Sequence, residues 1–322
     1  MSANLHLFSR LSIVVAISTI GLWGCDRPGS FSNTSYTTSV TQTTVTPKLP
    51  KVVATTKLLC DLTKQVAKNT IDLTCLLPGN TNPYTYQPTP EDKQAIAAAK
   101  LILYSGYNLE PNLFKTIRNT KTSGAKIAVI QRAVPKPLQI QEDGKIIPDP
   151  YVWHNVQNAS RMVEVIRSNL AKISPKNAST YSQNGNKIKK EFTQLDAWIK
   201  KRIASIPETN RKLITTQDNM AYYATSYGLA YAGGLTAIPS QAAKNNGRIH
   251  TIFTETTTNP KLLKTIGKET KIKVAGRKLY TDDLGGEKSE AKTYQKMMTT
   301  NTRTIVEALG GTYLIFENHK IK

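Results

Sequence analysis

The stretch NASTYSQNGNKIKKEFTQLDAWIKKRIASI, residues 177–206, decides the architecture. It contains no proline, and Tyr181, Ile188, Phe192, Leu195, Ile199 and Ile203 recur at a mostly three-to-four spacing. That period places them on one face of a helix. About 30 residues of helix span roughly 45 Å at 1.5 Å per residue. An element that long, and polar on its other faces, suits a rigid strut between two lobes.

On both sides of it, strand and helix signals alternate as they do in α/β folds. Upstream, residues 51–55 read as a first strand, and residues 58–68 as a helix with Leu59, Leu62 and Val66 on one face. Residues 71–77 follow as a second strand, closed by Pro78-Gly79. Thr89-Pro90 opens a helix that runs through residues 95–100, with a capping Thr and a Pro at its first position. Residues 101–104 and 125–130 read as the third and fourth strands. The pattern is lost in a proline-rich loop from 132 to 150, and helical period returns over 155–173. Downstream, strands are expected at 212–216, 251–254, 272–275 and 312–316. Helices are expected at 220–227, stopped by Gly228, and at 260–270 and 294–309. The predicted fold is α/β, with two α/β lobes built on parallel sheets and joined by one long rigid backbone helix. The lobes span residues 51–175 and 207–322, and the linking helix spans 176–206. Such a pairing leaves a cleft at the carboxyl ends of the strands, where open α/β sheets place ligands.

The N-terminus predicts export. Arg10 is the only Lys or Arg before a mostly apolar run at residues 11–23. That run has the length of a signal-peptide core and is too short to span a bilayer comfortably. It ends in Leu22-Trp23-Gly24-Cys25, which resembles the bacterial lipoprotein cleavage box. Residues 1–24 then form a signal peptide and Cys25 carries the lipid; the alternative is an uncleaved membrane anchor. Residues 25–50 are rich in Ser and Thr and poor in large apolar side chains, so they predict a flexible tether. The expected product is a monomeric, lipid-anchored body facing the periplasm or the cell surface.

Lys and Arg number 43 against 22 Asp and Glu, a formal charge of +21. Such a balance raises nucleic acid as a partner. The charges are dispersed, no recognition helix or zinc module is present, and an export signal argues against a genomic target. A solvated basic surface is the reading, without nucleic acid. With Cys25 lipidated, Cys60 and Cys75 remain, and two cysteines 15 apart in an oxidising compartment read as one disulfide. A two-cysteine metal site is the alternative, but no His lies near either one. No Ser, His and Asp form a hydrolase pattern, and Glu110 and Glu255 read as structural carboxylates. The chain is not expected to be an enzyme.

Four ordered motifs carry a resemblance. Pro83-Tyr84-Thr85-Tyr86-Gln87-Pro88-Thr89-Pro90 resembles the P-H-x-Y-E-P-T-P segment of the zinc- and manganese-binding proteins of ABC importers. Asp149-Pro150-Tyr151-Val152-Trp153 resembles their D-P-H-x-W. Thr215-Thr216-Gln217-Asp218, with Tyr227-Gly228-Leu229, resembles T-T-H-D…Y-G-L, and residues 279–285 resemble L-Y-x-D-x-L-G. The resemblance implies a solute-binding protein that holds a transition-metal ion between its lobes and hands it to an ABC permease. It also implies the ligand positions, which here are Tyr84, Tyr151, Gln217 and Asp282, so only the aspartate is kept. His154 lies three residues beyond Tyr151, about one helical turn away, and Asp283 adjoins Asp282; both join the candidate ligands.

The substitutions alter the chemistry. Neutral imidazole is the preferred nitrogen ligand of Zn²⁺ and suits other late first-row ions. A phenol, with a pKa near ~10, is un-ionised at pH 7 and binds well only when a metal drives its proton off. That favours a strongly acidic ion such as Fe³⁺, although Mn and Zn remain within the class the resemblance implies. The alternatives are a cleft that takes a small organic or anionic solute, with no metal at all, or an adhesion or interaction lipoprotein that keeps the fold and has lost its solute.

Overall fold

The computed structural model describes residues 48–79, 81–142, 144–234, 251–258 and 273–317. The signal segment, Cys25, most of the tether, the helix expected at 260–270, His250 and His319 lie outside the described residues.

The first lobe is a four-stranded parallel sheet made of β1 (Lys51–Ala54), β2 (Asp72–Cys75), β3 (Leu101–Tyr104) and β4 (Ala125–Ala128), in the order β2-β1-β3-β4. The two central strands are apolar on both faces because helices cover both. Val53 and Ile102 pack with Ile96 of α2 (Pro90–Ala98) and with Leu113 and Ile117 of α3 (Pro111–Asn119). Their neighbours Val52, Ala54, Leu101 and Leu103 join the opposite core, with α1 (Lys57–Ala67) and α5 (Val156–Ile173). This alternation is the two-residue period of a strand expressed as two cores. A disulfide joins Cys60 of α1 to Cys75 at the end of β2, with the Cα atoms 5.8 Å apart.

The sequence reading assigned neither α3 nor the strand at residues 230–234, and three further elements differ from it. The fourth strand ends at Ala128, and residues 129–130 begin a short helix, α4 (Val129–Ala133). The proline-rich loop contains an antiparallel hairpin of β5 (Gln139–Glu142) and β6 (Lys145–Pro148), closed at Gly144 with φ +75°. Residues 312–316, expected as a last strand, pair with no described strand. Instead they lie along the strut, where Trp198 Nε1 donates to the Leu314 carbonyl (3.2 Å) and Arg202 to the Thr312 carbonyl (3.0 Å).

The strut itself is α6 (Ala178–Ala204), 27 residues and about 40 Å long. Tyr181, Ile188, Phe192, Leu195, Ile199 and Ile203 are its buried stripe, and they continue the core of both lobes. The second lobe contains β7 (Lys212–Thr215), α7 (Ala221–Tyr227), β8 (Ala230–Gly234), β9 (Thr251–Ile252), β10 (Lys273–Val274) and α8 (Tyr294–Ala308). β7 pairs with β8, bridges to Phe253 just past β9, and β9 pairs with β10, all parallel. The order β8-β7-β9-β10 repeats the rank order of the first sheet. One internal contact repeats with it. Thr55, just past β1, donates to buried Glu110 (2.6 Å), and Thr216, just past β7, donates to buried Glu255. Both glutamates pin the loops at the carboxyl ends of their sheets.

Candidate metal centre

Tyr84 follows β2 and Gln217 follows β7, at the carboxyl ends of their sheets, Tyr151 follows the β5–β6 hairpin, and Asp282 lies in the segment after β10. Tyr84 sits between β2 and α2, in a loop fastened at several points. The Tyr84 amide donates to Asn82 Oδ1 (2.9 Å), Tyr86 donates its hydroxyl to Asp92 (2.7 Å), and Asn112 donates to the Tyr86 carbonyl (3.1 Å). Asp92 also closes a capping box with Thr89 at the start of α2.

Tyr151 is buried just before a 3₁₀ turn at Val152–His154. Its amide donates to Asp149 Oδ1 (2.8 Å), and its ring stands edge-on to Trp153 at 5.5 Å. Its side chain is hydrogen-bonded to that of Tyr84, and it faces Asp282. Burial, then the negative charge of Asp282, then Tyr84 hold this phenol well above its ordinary pKa. It is therefore neutral unless a cation displaces its proton.

Asp282 is buried and accepts from three side chains. Thr257 Oγ1 donates at 2.5 Å, Asn219 Nδ2 at 3.2 Å and Thr281 Oγ1 at 3.4 Å. Gln217 is placed through its backbone, where its amide donates to Glu255 Oε1 (3.0 Å). The structure thus sets Tyr151 beside Tyr84 and Asp282, while Gln217 is half-buried in the loop after β7.

His154 and Asp283 do not join that group. His154 is fully buried and its Nε2–H donates to the Thr281 carbonyl (2.9 Å). Nδ1 has no partner, and burial brings the imidazole pKa down to about 4. Asp283 turns toward the first lobe, where its carboxylate accepts from the amides of Lys57 (3.1 Å) and Leu58 (2.9 Å) and from that of Leu284 (2.8 Å). It caps the N-terminus of α1 from across the cleft. Burial outweighs those bonds and raises its pKa to about 6.

A further pair of carboxylates stands beside the site. Asp149 is fully buried, with Oδ2 unpartnered; Asp218 carries an unpartnered Oδ1. Burial, with the charge of Asp218 added, lifts Asp149 to about 7. Sequence reading quoted both residues inside their motifs without assigning them a role. Their position next to two exchanged ligands was the available signal. Asp149, Asp218 and Asp282 make the cleft acidic on a chain that is basic overall. Among the described residues, no three His, Cys, Asp or Glu side chains converge as a metal-holding group. An ion in this cleft would have to draw on the phenols.

The chain matches the model of the family described as ZnuA, zinc-uptake complex component A, periplasmic, over residues 52–308. It belongs to the ZnuA family. Among curated relatives, the metal ABC transporter substrate-binding lipoprotein SsaB of Streptococcus sanguinis is 30% identical over 277 residues, 80% of this chain and 89% of the relative. The manganese-binding lipoprotein MntA of Halalkalibacterium halodurans is 29% identical over 272 residues, covering 80% and 88%. The iron-binding protein YfeA of Yersinia pestis is 30% identical over 280 residues, covering 82% and 88%. The periplasmic zinc-binding protein TroA of Treponema pallidum has a similar structure, with a TM-score of 0.74 at 26% identity, covering 81% of this chain and 99% of that one. The two-lobed ZnuA architecture serves substrate binding in transport, so this family member is not an enzyme. Among the described residues no helix is long and apolar enough to cross a membrane.

Proposed function

We propose that this ZnuA-family protein captures a strongly Lewis-acidic transition-metal cation, ferric iron fitting best, and delivers it to an ABC permease. Tyr84, Tyr151 and Asp282 supply the donors, and Gln217 closes the rim from the second lobe. In this reading residues 1–24 are removed, Cys25 is lipidated and the body hangs from the membrane on its tether.

One observation carries the reading: the Tyr151 side chain meets that of Tyr84 and faces Asp282 in an acidic cleft. The charged groups acting on Tyr151 and Asp149 are acids, Asp282 first on Tyr151 and Asp218 on Asp149, with Asp149 itself only part-ionised near neutral pH. That supports a cation and disfavours an anionic solute. Ionising one ordinary phenol at pH 7 costs about 4 kcal/mol, and two cost about 8 kcal/mol. Burial adds to this for Tyr151. Only an ion that binds phenolate strongly offsets such a cost, and Mn²⁺ and Zn²⁺ are poorly suited to it.

The test is metal content by mass spectrometry on protein purified without chelators, followed by Fe³⁺, Mn²⁺ and Zn²⁺ titrations. Fe³⁺ should produce a visible phenolate charge-transfer band. Absence of any ion bound tighter than about micromolar, an affinity worth about 8 kcal/mol, sinks the proposal. A second reading, an interaction protein that has lost its solute, draws on a different observation. Asp282 already accepts three side-chain hydrogen bonds and the two tyrosines are hydrogen-bonded to each other. That reading predicts no rise in melting temperature with any metal.

A further inference from the structure

Asp282 lies in an irregular segment between β10 and α8, so its position is set by whatever grips that segment. From its own lobe, Asn301 of α8 holds the Tyr280 backbone twice, accepting from its amide (2.9 Å) and donating to its carbonyl (2.7 Å). Thr257 and Asn219 of the same lobe hold the Asp282 carboxylate itself, and two further grips, on its neighbours in the chain, come from the first lobe. His154 Nε2–H holds the Thr281 carbonyl (2.9 Å), one residue before Asp282. The amides of Lys57 and Leu58 hold the Asp283 carboxylate, one residue after it. Asp282 is therefore bracketed by two anchors that belong to the opposite lobe.

The His154 anchor has a second property. A carbonyl can only accept, so the proton sits on Nε2 and the imidazole is the donor. The same ring ends the 3₁₀ turn that begins beside Tyr151, with the His154 amide donating to the Tyr151 carbonyl (3.3 Å). One turn of backbone presents Tyr151 and grips the segment that presents Asp282. The separation of these two donors is fixed locally, without passing through either sheet.

We propose that His154 and Asp283 are positioning residues: they hold the Asp282 segment against the first lobe and so set the Tyr151–Asp282 geometry of the cleft. The two side chains that motif alignment leaves as spare ligands would then act on the ion only through Asp282. The proposal rests on the cation-binding reading above for its affinity readout, and it has a structural readout that does not.

The experiment compares His154→Leu, which has no donor, with His154→Gln, whose amide can still donate to the Thr281 carbonyl; Asp283→Asn is the second site. Hydrogen exchange of amides 281–284 is measured by mass spectrometry, alongside Fe³⁺ affinity. His154→Leu should exchange about tenfold faster in this segment and bind Fe³⁺ about tenfold more weakly, the scale of one buried hydrogen bond. His154→Gln should stay within about threefold of wild type on both readouts. Asp283→Asn, which keeps one acceptor oxygen, should loosen the same amides. Unchanged exchange in both His154→Leu and Asp283→Asn overturns the proposal. So does a His154→Gln protein as loosened as His154→Leu, because ring shape and not donation would then be the cause. If wild type binds no ion, the cation reading fails, while the exchange comparison still decides whether these residues hold the segment. Should His154→Leu not fold, Asp283→Asn against wild type carries the test alone.

Discussion

His154 should give the protein a measurable sensitivity to acid, and one substitution isolates it. The imidazole is fully buried, donates from Nε2 to the Thr281 carbonyl, and has no partner for Nδ1. A second proton would sit on Nδ1 with no acceptor and little solvation, which is why the pKa falls from 6.5 to about 4. In the unfolded chain the same group takes up a proton near pH 6.5. Between those values the unfolded state binds more protons, so stability is lost as pH falls through this window. At ~1.4 kcal/mol per pH unit the loss is about 3 kcal/mol. The wild-type curve alone will not reveal it. Asp149, raised to about 7, and Asp283, raised to about 6, have the opposite sign, favouring the native state as pH falls toward 4. The difference between wild type and His154→Gln cancels those contributions. Urea unfolding followed by tryptophan fluorescence is the assay, with Trp153 packed 5.6 Å from the His154 ring as one of the reporters. From about pH 7.5 to about pH 4 the wild type should lose about 3 kcal/mol more than His154→Gln. Parallel curves would refute the reasoning, since they would mean that His154 is either solvated or charged in the native state.

The other predictions concern the cleft, the lobe contact and the cystine. Tyr84→Phe and Tyr151→Phe should each remove or strongly weaken the Fe³⁺ charge-transfer band, whereas Tyr313→Phe, on the outer face of the strut against Trp198, should leave it intact; absorbance titration checks all three. Asp283→Ala strips the acceptor from the amides of Lys57, Leu58 and Leu284. A lost cap plus a buried orphan donor should cost about 2–3 kcal/mol, read as a melting temperature lower by roughly 5 °C or more in calorimetry. Removing the Cys60–Cys75 disulfide as a double serine variant should cost about 3 kcal/mol on the loop-entropy account, given a separation of 15 residues; denaturant unfolding with and without reductant measures it.

The strut and the central strands were legible because their signals are local. The stripe from Tyr181 to Ile203 is a helical period that nothing interrupts, and Val52 to Ala54 is an apolar run that a doubly covered sheet requires. The hairpin at 139–148 was missed behind its flanking prolines, although an Asp143-Gly144 pair between apolar-containing segments is a recognised turn signal. Residues 312–316 have the composition of a strand, but composition does not provide a sheet edge; side chains of α6 take up the Thr312 and Leu314 carbonyls instead. At the cleft, motif order gave the positions of Tyr84, Tyr151 and Asp282. It could not give the role of His154, whose partner is 127 residues away in sequence. Nor could it show that the charge of Asp218 acts on Asp149 across the lobes.

The charge distribution bears on the choice between a cationic and an anionic solute more than the net charge does. The chain carries +21, yet Asp92, Glu110, Asp149, Asp196, Glu255, Asp282 and Asp283 are all buried. Seven of the 22 Asp and Glu are thus inside, and no Lys or Arg is buried among the described residues. The outer field is felt over about a Debye length, ~8 Å at physiological salt, and acts mainly on encounter. Charges lining a closed cleft act at a few ångströms in a medium of lower dielectric, where a unit pair is worth several times its value in water. An anion drawn in by the surface would meet Asp149, Asp218 and Asp282, and among the described residues no cation is identified among the charges that act on Tyr151 and Asp149. On the reading proposed above, a metal ion meets a mildly repulsive exterior and an attractive interior, and it displaces the proton of Tyr151. On that cation-binding reading, the substitutions that removed the imidazoles keep the cleft's preference for a cation while raising the acidity that cation must have.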